Sequence, residues 1–222
     1  MDAIFVRKLM RKLRARRKLP PEFRVGRTQD FALLYKLASD PWNISKRVTY
    51  YGEVWEWILH QLPEPLLSVV DAGCGVGAFL KSLTILCPEV LAEGIEFSQD
   101  AAERARQATG LTIHLGDISK EVCFRTCQPV LLLTLNDILC YLPKNGEQGI
   151  INCLRFLQPR YVLISHSPVE NEDIFLVYQR PYSLNSTEAS LVKIASRAFA
   201  LPKELGWAGT HLFVLYQVMY KY

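Results

Sequence analysis

No apolar run in these 222 residues approaches the roughly 18 to 20 that a membrane-crossing helix needs, so no such helix is expected. Six cysteines stand at 74, 87, 123, 127, 140 and 153, none in a Cys-x-x-Cys pair. Cys123 and Cys127 are four apart with no histidine close by, short of a zinc-ligand pattern. Most of the thiols fall in predicted strands or helices, where cysteine serves as a small hydrophobe in a reducing compartment. A cytoplasmic protein is the expectation. Histidine is scarce, at four residues, and no Ser-His-Asp order or paired-carboxylate signature offers a hydrolase mechanism. Internal repeats and low-complexity tracts are missing too.

Positive charge is lacking where it would matter for nucleic acid. The net charge is +4, but residues 1–18 hold eight Lys or Arg against Asp2, which leaves the rest of the chain at −3. The body is therefore not a basic surface, and no DNA partner is expected. Half of the residues are hydrophobic, enough for a sizeable core, and the length suits one α/β domain with an N-terminal extension. Residues 1–20 read as a basic amphipathic arm, with Phe5, Leu9 and Leu13 at helical spacing and Pro20-Pro21 ending it. A solvated helix, contact with an anionic membrane or RNA, and an organelle presequence all fit such an arm. Residues 21–222 form the domain, its first part (21–63) a helical cap.

What the chain does have is a strand running into alternating glycines. Val69 to Phe79 reads Val-Val-Asp-Ala-Gly-Cys-Gly-Val-Gly-Ala-Phe, with Leu66, Leu67, Val69 and Val70 as strand and Phe79, Leu80, Leu83 and Leu86 as the following helix. Glycines at a strand end allow a tight turn and let a ligand approach the backbone. A second strand, 90–95, ends at Glu96, where a carboxylate can accept hydrogen bonds from both ribose hydroxyls. Ser98 or Asp100 caps the next helix. A third strand, 111–115, ends in Gly116-Asp117-Ile118, and a fourth, 130–135, in Asn136-Asp137-Ile138-Leu139-Cys140-Tyr141. A helix over 144–156 and a fifth strand over 161–165 ending at His166 follow. Beyond them come a long connection (168–187), a helix over 188–198, faint signs of a sixth strand in 199–208, and a strong final strand over 210–220.

The Asp-x-Gly-x-Gly-x-Gly pattern resembles motif I of the class I methyltransferases, which use S-adenosyl-L-methionine (SAM). That resemblance implies a Rossmann-like, doubly wound α/β sheet of seven mostly parallel strands whose last strand is antiparallel. It also implies a cofactor site at Asp71, Gly73, Cys74, Gly75, Gly77, Glu96, Phe97, Asp117, Ile118 and Asn136. In the family the glycine loop lies under the amino-acid half and ribose of SAM, the acidic residue of the third tip meets the adenine amino group, and the fourth tip faces the transferring methyl. The rival is a nicotinamide dehydrogenase, since Gly73-Cys74-Gly75-Val76-Gly77-Ala78 also fits Gly-x-Gly-x-x-Ala. Asp71 and the Gly116-Asp117 and Asn136-Asp137 tips have no duty in that enzyme.

In the cap, Asp40-Pro41-Trp42 followed by Tyr50 at the head of a helix resembles the small-molecule branch of the family, notably the nodulation-type N-methyltransferases. Trp42 and Tyr141 are the expected substrate-binding residues on that likeness, with Asp137, His166 and Tyr50 as candidate bases. His60, His114 and His211, lying in predicted elements, read as packing residues. Motif IV here is Asn136-Asp137-Ile138-Leu139 and not Asn/Asp-Pro-Pro-aromatic, which counts against methylation of adenine N6 or a glutamine amide. The expected acceptor is thus a small molecule such as a sugar, an amine or a secondary metabolite, methylated on N or O. The alternatives are an RNA or protein methyltransferase using the basic arm, and a non-catalytic subunit of the same fold.

Overall fold

Tyr50, Tyr51, Val54, Trp55 and Ile58 recur at helical spacing, and all five are buried along one face of a helix, Val48–Gln61 (α1). Pro63 follows the cap residue Leu62 and prevents continuation. In this computed structural model, which describes residues 35–36, 39–40, 43–120, 126, 129–139, 146–166, 189–202, 205 and 209–221, α1 is preceded by a 3-10 turn, Ile44–Arg47. The basic arm, Trp42, Cys140 and Tyr141 lie outside the described residues, as do most of residues 21–42.

The strands and helices then alternate: β1 (Ser68–Ala72), α2 (Ala78–Leu86), β2 (Leu91–Glu96), α3 (Gln99–Thr109), β3 (Thr112–Leu115), β4 (Leu132–Asn136), α4 (Gly146–Leu157) and β5 (Tyr161–His166). Two strands without a described helix between them, β6 (Ala189–Leu201) and β7 (Gly209–Tyr220), complete the sheet. Its order is β3-β2-β1-β4-β5-β7-β6. Strands β1 to β5 are parallel, and β7 runs antiparallel between β5 and β6. This is the expected seven-stranded doubly wound sheet. The chain reverses its direction of winding between β1 and β4, and the crevice at that switch point is where open α/β sheets bind ligands.

Every residue of β1 is buried, as suits a central parallel strand covered on both faces. One core packs α1, α2 and α3 on one face of the sheet; the other packs α4 on the opposite face. The Trp55 indole donates to the Phe79 carbonyl at 2.9 Å and its ring stacks on Phe79 at 4.4 Å, fastening the cap helix to the helix that follows the glycine loop. Ser98 caps α3 by accepting from the Ala101 amide, and Gly110 ends it in the left-handed conformation.

One sequence expectation is overturned. Residues 188–198 read as a helix, but Ala189–Leu201 is β6, paired with β7 from Ala189 opposite Tyr220 to Leu201 opposite Gly209. The sixth strand therefore begins ten residues before the stretch where signs of it were sought, which it overlaps only at residues 199–201. A register shift between Lys193 and Ala195 changes the phase of the inward-facing side chains, so no clean alternation is visible. The four alanines of the segment favour helix locally, and pairing with β7 overrides them.

Candidate functional site

The glycine loop leaves β1 in a chain of left-handed residues, with φ of 77°, 57° and 81° at Gly73, Gly75 and Gly77. Gly73 and Cys74 both donate their amides to the Ile95 carbonyl, at 2.8 and 3.0 Å, which ties the loop to the end of β2. Glu96 braces it further. Its Oε2 accepts the Gly75 amide and its Oε1 the Ser98 amide, each at 2.8 Å. Burial pushes the Glu96 carboxyl up, while the amides of Ser98, Gly75 and Phe97 oppose that shift by favouring the charged form. The carboxylate has about four lone-pair sites, so it keeps acceptor capacity beyond these amides. A Cβ on Gly73 would lie 2.6 Å from Ile138 Cδ1, and one on Gly75 would lie 2.9 Å from the Tyr35 hydroxyl. Tyr35 and Ile138 therefore close over the loop from the cap and from the tip of β4.

Gly116 donates to the Glu96 carbonyl at 2.9 Å, so the tips of β2 and β3 share one edge of the sheet. Asp117 Oδ1 accepts from the Ser119 amide and hydroxyl, at 3.0 and 2.6 Å. Its Oδ2 is buried with no hydrogen bond among the described residues, and Lys120 Nζ stands 3.5 Å away. Ile118 beside it is buried. At the tip of β1, Asp71 is 1% exposed and accepts from the Thr134 hydroxyl at 2.6 Å. Burial, with a smaller repulsion from Glu96, pushes its carboxyl up to about 7.

A second cluster lies at the tips of β4 and β5. Asn136 Oδ1 accepts from the Ser165 hydroxyl at 2.6 Å, and the Tyr51 phenol hydrogen-bonds with Asn136 and Arg47. Burial pushes that phenol up to about 12, and Arg47 opposes the shift. Asp137 has a φ of 54°, sparsely populated for a non-glycine residue, and its amide donates to Ser165 Oγ at 2.9 Å. His211 Nδ1 stands 3.5 Å from Asp137 Oδ2. The Tyr50 ring meets the His211 ring edge-on at 5.8 Å. Its hydroxyl is buried without a hydrogen-bond partner among the described residues. Burial first, then Tyr51 and Asp137, raises the Tyr50 phenol far above its usual range.

Of the residues singled out from sequence, Asp71, Gly73, Cys74, Gly75, Gly77, Glu96, Phe97, Asp117, Ile118, Asn136, Asp137 and Tyr50 fall on or beside these strand tips. The backbone of His166 ends β5 opposite Leu212; its side chain, like Trp42 and Tyr141, lies outside what is described. Residues beside these tips that the sequence did not single out are Tyr35, Arg47, Tyr51 and Ser165, while His211, read as a packing residue, is buried 3.5 Å from Asp137. Its phase with Phe213 and Leu215 along β7 matches a packing residue, and all three are buried. Only the antiparallel placement of β7 brings its first residues to the carboxyl ends of β4 and β5.

No family model and no curated protein sequence matches the chain. Solved structures do match its fold. N-methyltransferase NodS from Bradyrhizobium japonicum WM9, in complex with S-adenosyl-L-homocysteine (SAH), aligns with a TM-score of 0.58 at 16% identity, over 86% of this chain and 97% of that one. The plantazolicin methyltransferase BpumL, solved with a pentazolic desmethylPZN analogue and SAH, aligns at 0.55 and 12% identity, over 84% and 95%. A protein from Pyrococcus horikoshii provisionally described as an RNA methyltransferase aligns at 0.52 and 14% identity, over 75% and 80%. The sheet order and these likenesses identify the fold as the Rossmann-like methyltransferase fold.

Proposed function

We propose that this chain is a SAM-dependent methyltransferase acting on a nitrogen or oxygen of a small molecule. The observation that carries this reading is the pair of acidic strand tips flanking the glycine loop: Glu96 with acceptor capacity beyond its amide bonds, and Asp117 with a buried oxygen that makes no hydrogen bond among the described residues. Glu96 would hold the two ribose hydroxyls and Asp117 Oδ2 the adenine amino group, with Ile118 and Phe97 beside the ring. The backbone of Gly73, Cys74, Gly75 and Gly77 would lie under the amino-acid half, bounded by Asp71 and Asn136. The bound cofactor supplies an activated methyl group on a sulfonium. What remains for the protein is to hold the acceptor in line with that methyl and to exclude water. Tyr50, Asn136 and Asp137 would do so from the cap and the β4 tip, with Trp42, Tyr141 and His166 in the acceptor-side places that the sequence resemblance implies. The nearest support for a small acceptor is the fold's likeness to NodS and BpumL, together with a body of net negative charge.

Thermal unfolding in the presence of SAM, SAH and NAD tests the cofactor. A ligand at about one hundred times its Kd stabilises the native state by about 2.7 kcal/mol, so SAM and SAH are expected to raise the midpoint and NAD to leave it unchanged. Stabilisation by NAD alone would reassign the chain to the dehydrogenases.

A second reading, methylation of RNA, is favoured by the +7 charge of residues 1–18. The two separate on removal of that segment. Turnover of a small acceptor survives the deletion, whereas an RNA acceptor would show a raised KM with a flatter salt dependence. Among the described residues no helix is long and apolar enough to cross a membrane. Cys74, Cys87 and Cys153 are free thiols, which suits a reducing, cytoplasmic setting.

A further inference from the structure

We propose that the groove between α1 and β6 is a docking site for a basic amphipathic segment, and that its occupant is residues 1–18 of the same chain. Such docking is independent of the methyltransferase reading and gives the basic arm a place on the body.

The groove has a volume of about 430 Å³ and is lined by Glu53, Glu56, Trp57 and His60 of α1 and by Arg197 and Phe199 of β6. Its floor is aromatic: the Trp57 and Phe199 rings, both buried, lie 5.9 Å apart at 68°. Its rim is acidic. Glu53 and Glu56 are exposed, three residues apart on one helix, and α1 contains no Lys or Arg to offset them. Like charges at that spacing repel each other. Neither carboxylate makes an ion pair or a hydrogen bond among the described residues. Arg197 is engaged with the Phe199 ring, its guanidinium carbon 4.8 Å from the centroid, and pairs with neither.

Trp57 supplies a second, independent sign of a ligand. It is 8% exposed, and that remainder lines the groove. Its indole N–H makes no hydrogen bond to a described residue and is not sealed from solvent, so it opens to the groove. A donor this nearly buried has little room for water, and it gains when an oxygen acceptor meets it. The chemistry of the occupant follows. Glu53 and Glu56 ask for positive charge, the two rings for an apolar body, and the indole for a carbonyl. Arg197 over Phe199 shows that the aromatic wall already receives a guanidinium.

Residues 1–18 meet each demand. They hold eight Lys or Arg against Asp2, with Phe5, Leu9 and Leu13 at helical spacing. A helix ended by Pro20-Pro21 leaves the carbonyls of its last turn free to accept. The reach is ample. Tyr35, the first described residue, is tied to the body by Arg104, whose Nη1 donates to its carbonyl at 3.0 Å. The connection 19–34 spans up to about 50 Å when extended. The seven-stranded sheet is only about 29 Å from edge to edge at the usual strand spacing of about 4.8 Å. A tethered segment meets its groove at an effective concentration on the order of millimolar, so contacts that are weak singly suffice to hold it.

The test uses the full chain. Equal amounts of 14N- and 15N-labelled protein are mixed, treated with a water-soluble carbodiimide that joins lysine to a neighbouring carboxylate, and mapped by mass spectrometry. Links from Lys8, Lys12 or Lys18 to Glu53 or Glu56 are expected, each within a single isotope. In parallel, trypsin cleavage within residues 1–18 is compared between the wild type and Glu53→Gln/Glu56→Gln. Both positions are exposed, so the double variant keeps the fold. Its docking equilibrium is expected to fall by about 2- to 30-fold, the range for losing two exposed ion pairs, and its cleavage to quicken accordingly. The difference is expected to vanish in about 0.5 M salt, which screens such pairs. Absence of links to Glu53 and Glu56, links only between differently labelled chains, or equal cleavage of the two proteins at low salt would each overturn the proposal. Cleavage that slows only after RNA is added would overturn it in favour of an RNA partner for the segment.

Discussion

Asp71 offers the sharpest physical test of the site, because it is a nearly inaccessible acid beside another acid. Replacing it with Asn keeps the shape and the acceptor for the Thr134 hydroxyl, and removes the charge. Burial, then repulsion from Glu96, moves its pKa from 3.8 to about 7. For an acid whose folded pKa lies above its unfolded one, the folded state binds the extra proton. Stability then falls as pH rises between the two values. Below about pH 4 the carboxyl is protonated in both states and carries no penalty; above about pH 7 the penalty is complete. Three units at 1.36 kcal/mol each give an order of about 4 kcal/mol for the full effect. Asp71→Asn is therefore expected to match the wild type near pH 4 and to exceed it progressively up to about pH 7.5. Urea unfolding at a series of pH values, read by the fluorescence of Trp55 stacked on Phe79, measures the difference. The difference between the two proteins is the quantity to read, since other groups titrate in both. A gap that does not change between pH 4.5 and 7.5 would refute the buried, protonatable Asp71.

Two further outcomes concern the cofactor side. Glu96→Ala leaves the Gly75 and Ser98 amides without their acceptor and is expected to weaken SAH by roughly 1 to 3 kcal/mol, about 5- to 150-fold in Kd by calorimetry; unchanged affinity would remove Glu96 from the site. Gly75→Val combines a branched residue at φ 57° with a Cβ only 2.9 Å from the Tyr35 hydroxyl, so both SAH binding and the unfolding midpoint are expected to drop. Adding Tyr35→Ala is expected to recover part of the midpoint and none of the affinity, and full recovery of both would show that the clash with Tyr35 was the whole effect.

The two halves of the site differ in how far they could be read from the chain, and the reason lies in the topology. Glu96, Asp117, Asn136 and the glycines each sit at the end of an apolar run, and parallel strands bring all such ends to one edge of the sheet. Order along the sequence thus becomes proximity in space, with no need to know side-chain contacts. The same logic fails at the last two strands. The bulge between Lys193 and Ala195 hides β6 within an alanine-rich stretch that favours helix. The antiparallel β7 presents its beginning, not its end, at the functional edge. His211 therefore stands at the wrong end of its strand for the rule that found the others, and in phase with Phe213 and Leu215 it looks like core. Arg47 and Tyr51 are invisible for a related reason. Their place is set by how α1 docks, through Trp55 on Phe79, and no local pattern in the cap encodes that contact. The half of the candidate site around the glycine loop follows from strand ends alone, whereas the other half is built where elements of unlike direction meet. That is where His211, Asp137 and Tyr50 come together.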